Sequence, residues 1–473
     1  MNRRTTYLLF GLSLLLVKLV INYHTSLIPG INGGYYPLQV RSLINTGRLG
    51  FPDLPLYFYI NALIVKLVSF LTSLDINQII IHTSKILDSI SLPLFLIPLY
   101  LFEKNILKTE IKALSHAILI LFVTLSFSPL TLSSELQKNA FAILLLVFYI
   151  YYLLFFIKTR STKHLLLSVL FFILTGLTHV GVFAVSMTFL SVMLLLFYRR
   201  RALMPILGAI VTGISMVYFF DQERAFRLLG SASNIFEYPV ILHPFSPLEA
   251  LNYLLSYLLI GTGIYVLIKF REHITAHLRK MLIGFIILIF LLSFPLLDIE
   301  YARRFSLMLF IPQFIVLHIL YRTLNSRLVL AGFSIYLIVF TGLAVFMIIG
   351  RMKPASITEE AFQDLKNIES FIEDPDRTLI IARHGLEWWT AWQLGTKVGQ
   401  DKAVERNTVR KYDKMIVLVQ LRGINQMGPS QGNPFHEPFF PTKREAFYVS
   451  DYFRATELKD EDFDRMPPPP PRR

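Results

Sequence analysis

The sequence predicts a polytopic α-helical membrane protein of about eleven transmembrane helices, followed by a small C-terminal α/β domain. Three observations predict it. Of the 473 residues, 54% are hydrophobic and only 16% charged, whereas soluble domains carry about 25% charged residues. Apolar runs of roughly the 17–25 residues that a bilayer-crossing helix needs recur through the first 350 positions. Beyond residue 350 the chain turns charged and is repeatedly interrupted by turn residues. This composition excludes a soluble globular enzyme and a disordered chain. The net charge of +14 does not point to nucleic acid, because residues 351–473 hold 19 basic and 19 acidic groups. The whole excess belongs to the first 350 residues, where loop cations set membrane orientation. With no cysteine, disulfides, thiolate metal sites and CxxC haem attachment are excluded.

The expected spans are 6–23, 81–101, 113–128, 138–157, 163–179, 181–197, 203–219, 247–268, 281–297, 305–321 and 328–349. The first run is too long for a cleaved signal and has no small-residue cleavage site, so it reads as a retained span. Basic clusters stand at Arg3/Arg4, Lys104/Lys108/Lys112, Lys158/Arg160/Lys163, Arg199/Arg200/Arg201, Lys269/Arg271/Arg279/Lys280 and Arg322/Arg327. All of them face the cytoplasm together only if eleven runs cross and the run at 56–73, broken by Asn61 and Lys66, does not. That run is therefore expected as an interfacial or re-entrant helix inside a first outer loop of about 24–80. The N-terminus is placed in the cytoplasm and the C-terminal domain outside a plasma (inner) membrane. Only Glu103, Glu110 and Glu272 then lie inside, so acid-dependent chemistry belongs to the outer face.

The domain reading follows: a membrane domain over 1–350, an extracytoplasmic α/β domain over 351–465, and a proline-rich disordered tail over 466–473. In the first outer loop, Leu38, Val40, Leu43 and Ile44 recur at near-helical spacing after Pro37. Gly47 is the expected stop of this surface helix. Pro52-Asp53-Leu54-Pro55 makes a stiff turn before the 56–73 run. In the second outer loop, Ser133 or Ser134 is the expected cap of the following helix, with Glu135 in its first turn and Lys138 just inside it. In the tail, 378–382 and 415–419 read as buried strands, 358–372 and 385–395 as helices, and the stretch after 423 as weakly regular.

A span, a long outer loop with a surface helix, a Pro-Asp-x-Pro turn and a second half-buried helix resemble the GT-C superfamily of membrane glycosyltransferases, in particular the oligosaccharyltransferase catalytic subunit and its prokaryotic relatives. The resemblance rests on loop architecture and covers the membrane domain. It implies transfer of a sugar from a polyprenyl-phosphate-linked donor, at the outer face, to a glycan, lipid or protein acceptor. In that superfamily an acid often stands early in the first loop; the matching place, Gly30-Ile31-Asn32-Gly33-Gly34, carries Asn32, which cannot accept a proton at neutral pH. The catalytic acid expected instead is Glu135 or Asp53, acting on the acceptor or holding a divalent cation such as Mg or Mn. Turn formation explains Asp53 equally well, and helix capping explains Glu135.

The donor phosphate is expected on Arg303, Arg304 and Lys138. Arginines at an outer boundary breach the positive-inside pattern unless paired, here with Asp298 and Glu300, or used as a phosphate clamp. Asn32, His179, Glu237, Trp388 and Trp389 are expected acceptor or sugar contacts. For His179 the plainer reading is a turn histidine. Glu237 ends Ser233-Asn234-Ile235-Phe236-Glu237, which resembles the Ser/Thr-x-x-Glu element of that family. Trp388-Trp389-Thr390 partly resembles its Trp-Trp-Asp motif, and packing explains the indoles as well. A non-catalytic relative that binds or moves lipid-linked glycans is the alternative. A transporter is disfavoured because transporters keep their polar groups near the bilayer midplane. Membrane lipids are expected partners and nucleic acid is not.

Overall fold

A computed structural model of the protein describes residues 2–108, 111–134, 136–230, 235–324, 326–350, 352–400, 411–422, 445–459 and 462. The chain divides into two compact units. The first takes in residues 1–19, 52–60 and 86–352, the second residues 20–51, 61–85 and 353–473. Glu135, Ser233, Asn234 and the proline-rich end lie outside the described residues.

Among the described residues, seven helices are long and apolar enough to cross a membrane, or eight if the bent pair Ile299–Ser306 and Phe310–Thr323 is one span. This is a polytopic helical architecture, and its long apolar helices mark a membrane-embedded protein. The count is lower than the eleven that the apolar runs suggest, and the difference arises in four places. The run at 163–179 forms a helix of 15 residues, Thr162–Gly176, and the run at 281–297 a helix of 17, Ala276–Leu292. At 1.5 Å per residue these reach about 22–26 Å, short of a hydrocarbon core of about 30 Å. The run at 305–321 belongs to the bent pair, whose axes differ by 51°. At that bend the carbonyl of Ser306 accepts from the Leu309 N–H at 3.3 Å and also from Asn252 Nδ2 at 3.0 Å and Ser128 Oγ at 3.3 Å.

The fourth difference is the 41-residue stretch Val180–Phe220. It is two helices, Val180–Tyr198 and Leu203–Phe220, joined by a short turn at Arg199–Ala202 with Arg199 at φ +54°. They fold back on each other, since a Cβ added to Gly213 would stand 2.6 Å from the Phe183 ring. A continuous helix would hold positions thirty residues apart about 45 Å from each other. Two further reversals are built the same way. Phe148 stacks on Phe171 with centroids 4.7 Å apart and Phe155 meets His164 at 4.3 Å, so Thr162–Gly176 runs back along Gln137–Thr159. Phe197 meets His277 at 5.1 Å and Phe189 meets Phe285 at 5.4 Å, which sets Ala276–Leu292 against Val180–Tyr198.

The second unit is built around a five-stranded sheet of order β2-β1-β3-β5-β4. β1 is Thr378–Ala382, β2 Lys397–Gln400, β3 Lys414–Gln420, β4 Tyr448–Val449 and β5 Phe453–Glu457. β1 pairs in parallel with β2 and β3, while β3–β5 and β5–β4 are antiparallel. The expectation of weak regularity after residue 423 falls largely on 423–444, outside the described residues; beyond them β5, with Phe453, Ala455 and Thr456 buried, pairs along β3. Glu359–Asp364 with a 3₁₀ extension Leu365–Phe371, and Leu386–Leu394, are the two helices expected here.

The segment 20–51 is part of this unit. Gly30 bridges Ala355, and its N–H donates to Pro354 O at 2.9 Å. The helix Tyr35–Thr46 ends at Gly47, left-handed at φ +73°. Gly34 lets this segment lie against the tryptophan helix, because a Cβ there would come within 2.9 Å of Trp388 and Trp389.

The fold-back of Val180–Phe220 yields a direct test. Gly213→Ala should lower stability by about 1–3 kcal/mol through overpacking against Phe183. Gly208→Ala, with nothing within 4 Å of the added methyl, should be neutral or slightly stabilising. Thermal unfolding of the two variants in the same detergent separates them; equal midpoints would contradict the hairpin.

Candidate functional site

The stiff Pro52-Asp53-Leu54-Pro55 turn delivers a carboxylate into the interior of the first unit. Asp53 is 5% exposed. Its Oδ1 accepts from the N–H of the next residue, Leu54, at 2.8 Å. The same carboxylate bridges two cations: Lys138 Nζ stands 2.6 Å from Oδ2 and Arg224 Nη1 2.8 Å from Oδ1. Lys138 opens the helix Gln137–Thr159 and is buried, with its ammonium 5.1 Å from the Phe58 ring. Arg224 lies on the short helix Gln222–Gly230 and also pairs with Asp221, Nε to Oδ2, at 3.2 Å. Beside them, Tyr57 donates to Gln137 Oε1 at 2.8 Å and the Leu56 N–H to Leu177 O at 3.1 Å.

Among the described residues, two carboxylates and two cations thus form a network of zero formal charge. Its centre is buried on both sides, so removing one partner would strand an uncompensated charge, at a cost of about 3–5 kcal/mol. The arrangement also sets what the cluster can do. Both Asp53 oxygens are engaged by cations, so neither is open to a substrate until a cation is drawn away. Conversely, the two cations are already gathered at one point, as an anionic ligand would require. A divalent cation does not fit this donor set, because both acids are committed to Arg224. Among the described residues no three His, Asp or Glu side chains converge as a cation cage.

His179 caps the helix Val180–Tyr198: its Nδ1 accepts from the Val182 N–H at 3.3 Å. That bond places the ring proton on Nε2. Burial first, then the Lys138 charge, push its pKa down to about 3, with Asp53 opposing. It is therefore a neutral imidazole beside a charged cluster, and it keeps the turn role while presenting one N–H donor.

The remaining expected site residues lie as follows. Arg304 pairs with Glu300 at 2.9 Å, both well exposed, while Arg303 pairs with Glu249 at 3.0 Å and not with Asp298. Asp298 instead caps its own helix through the Glu300 N–H at 2.9 Å. Glu237 is exposed on a stretch whose neighbours pair with 297–299, as Val240 N–H donates to Leu297 O at 2.8 Å. Glu135 lies outside the described residues. The expected serine cap is not formed: the residue before the helix is Leu136, without a side-chain cap, and Ser134 Oγ donates to Ser133 O instead.

In the second unit Asn32 sits in the turn that opens the Tyr35–Thr46 helix, its carbonyl accepting from Tyr35 N–H at 3.1 Å. Trp389 is fully buried and meets Phe362 edge-on at 5.6 Å. Trp388 is held edge-on by Tyr35 at 5.0 Å and Phe51 at 5.1 Å. Both indoles are thus used in packing. Arg41 closes that helix from below, donating to Trp392 O and Ala391 O at 2.6 and 3.0 Å. The buried Glu387 accepts from His384 Nδ1 at 2.8 Å and from Gln400 Nε2 at 3.0 Å.

Sequence reasoning missed Arg224, Asp221, Gln137 and Tyr57 as site members. Arg224 and Asp221 carried a signal, as charges at an expected outer boundary that need partners. No family model matches the sequence, and no curated protein matches it.

The neutral His179 generates a pH prediction. Its folded pKa of about 3 lies below the unfolded value near 6.5, so the unfolded chain binds the proton first. Stability is fully present above pH 6.5 and falls as pH drops toward 3, by at most about 1.4 kcal/mol per unit from this group. His179→Asn keeps a good helix cap without the titration. Its melting temperature should decline less steeply than the parent's between pH 6.5 and 4; parallel slopes would refute the assignment.

Proposed function

We propose that this protein is a membrane glycosyltransferase of GT-C type, using a polyprenyl-phosphate-linked sugar at the outer face of the plasma (inner) membrane. The observation that carries the reading is the buried Asp53 carboxylate bridging Lys138 and Arg224 at 2.6 and 2.8 Å. Such a site is ready to exchange one anion for another. A donor phosphate entering between the two cations takes the charge-assisted contacts that Asp53 holds. Asp53, released from its cations, regains the basicity of an ordinary carboxylate. The acceptor hydroxyl or amide then attacks the anomeric carbon, the bond from that carbon to the phosphate oxygen breaks, and the lipid phosphate leaves with the electron pair. The acceptor proton passes to Asp53 or to Glu135. Arg304 is suited to follow the phosphate, since its exposed pair with Glu300 is worth less than about 1 kcal/mol.

In this reading the chain crosses the membrane eleven times. The hairpins around Thr162–Gly176, Arg199–Ala202 and Ala276–Leu292 make each short helix a return path, and the basic clusters then share the cytoplasmic side. The N-terminus is cytoplasmic in this reading, and the C-terminal domain is outside.

A second reading, a non-catalytic protein that binds or moves lipid-linked glycans, is favoured by the engagement of both Asp53 oxygens and by Asn32 where related enzymes carry an acid. Mass spectrometry of polyprenyl-linked sugars from the native host separates the two. A deletion strain, Lys138→Met, Asp53→Asn and Glu135→Gln are compared at matched protein levels. Transfer predicts that the deletion, Lys138→Met and at least one acid variant accumulate the same glycolipid several-fold. Accumulation in the deletion strain and Lys138→Met alone would favour the binding protein, and no accumulation anywhere would reject both.

A further inference from the structure

A second buried ion pair lies in the first unit. Lys18 Nζ and Asp88 Oδ1 are 3.3 Å apart, and both side chains are fully buried. Lys18 interrupts the apolar helix Arg3–Tyr23, and Asp88 lies on Ile76–Ser91. As a fastening between two helices the pair is a poor choice, because desolvating both charges cancels most of their attraction and an apolar pair would hold the helices as well. What an apolar pair cannot do is accept a main-chain N–H. Asp88 does so: its Oδ2 accepts from the Ser134 N–H at 2.9 Å.

That N–H belongs to a residue in an uncommon conformation. Ser134 has φ +64°, a left-handed region that side-chain-bearing residues rarely occupy. Ser134 Oγ is turned back on Ser133 O at 2.6 Å, and Ser133 and Ser134 are both buried. The turn leads within four residues into Gln137, which meets Tyr57, and Lys138, which meets Asp53.

We propose that Asp88 is a positioning residue which, with Lys18 as its counter-ion, locks the turn at Ser133–Ser134 and thereby sets Gln137 and Lys138 against Tyr57 and Asp53. The inference rests on the reading of the Asp53 cluster as the working site, but its test reads the turn and not turnover. The fully buried carboxylate is present for its second oxygen, and Lys18 is present to make that carboxylate tolerable.

The chain has no cysteine, so Ser133→Cys supplies a single thiol. The experiment measures its rate of modification by a water-soluble maleimide in the purified full-length protein, together with the melting temperature. Four backgrounds are compared: the parent, Asp88→Asn, Lys18→Leu with Asp88→Leu, and the charge exchange Lys18→Asp with Asp88→Lys. The parent should react slowly, and Asp88→Asn, which keeps a carbonyl acceptor, within about threefold of it. The double leucine variant and the exchange should each react at least tenfold faster while melting near the parent, because neither keeps the Asp88 acceptor for Ser134. If the double leucine variant or the exchange reacts as slowly as the parent, the proposal fails. It fails equally if reaction rate only follows loss of melting temperature across all variants, Asp88→Asn included. Absence of glycolipid accumulation would count against the transferase reading and leave this labelling pattern unchanged.

Discussion

A charge inside an apolar helical domain must be met by an opposite charge, and in this protein that requirement is concentrated at Asp53. One carboxylate on a proline-stiffened turn gathers a lysine from the start of the Gln137–Thr159 helix and an arginine from the short helix beyond Phe220. Three segments more than eighty residues apart are drawn together by two contacts shorter than 3 Å. The low dielectric that makes a lone charge costly also strengthens the paired arrangement.

The same constraint explains the surroundings. His179 is kept neutral by burial and by Lys138, so it adds a donor without upsetting the charge balance. Lys18 and Asp88 repeat the solution deeper in the unit, and there the carboxylate also satisfies a backbone N–H. On the proposed reading, the network rearranges for an anion that can replace Asp53. A phosphate is such an anion: it carries more acceptor atoms than a carboxylate and meets both cations at once.

Much of the fold was legible because its signals are local. Apolar run length gave the long helices, near-helical spacing with Gly47 gave the Tyr35–Thr46 helix, and short β-rich runs gave the strands at 378–382 and 414–420. Where the reading departed from the structure, the deciding interactions were distant. Whether a 15-residue apolar run counts as a crossing depends on the helix it lies against. Ser133 and Ser134 form no cap: Ser134 Oγ is turned onto Ser133 O, while its N–H is taken by Asp88, some forty-six residues earlier. Asp53 and Lys138 were both legible as charged residues beside apolar runs, but not as partners of each other, since charge pairing leaves no periodicity in sequence. Trp388 and Trp389 show the same. Their indoles stood out as a local cluster, but their packing partners Tyr35, Phe51 and Phe362, which meet the rings edge-on, and the glycine that admits the contact, Gly34, lie far away in sequence.

The central claim is that Asp53 is a resident counter-ion that a phosphate can replace. The most direct test is binding of a short-chain polyprenyl monophosphate to the purified protein, followed by native mass spectrometry, in the parent, Asp53→Asn and Lys138→Met. Replacement predicts that Asp53→Asn binds about tenfold more tightly than the parent, because the competing carboxylate is gone, and that Lys138→Met loses binding. Equal or weaker binding by Asp53→Asn, or undiminished binding by Lys138→Met, would contradict it.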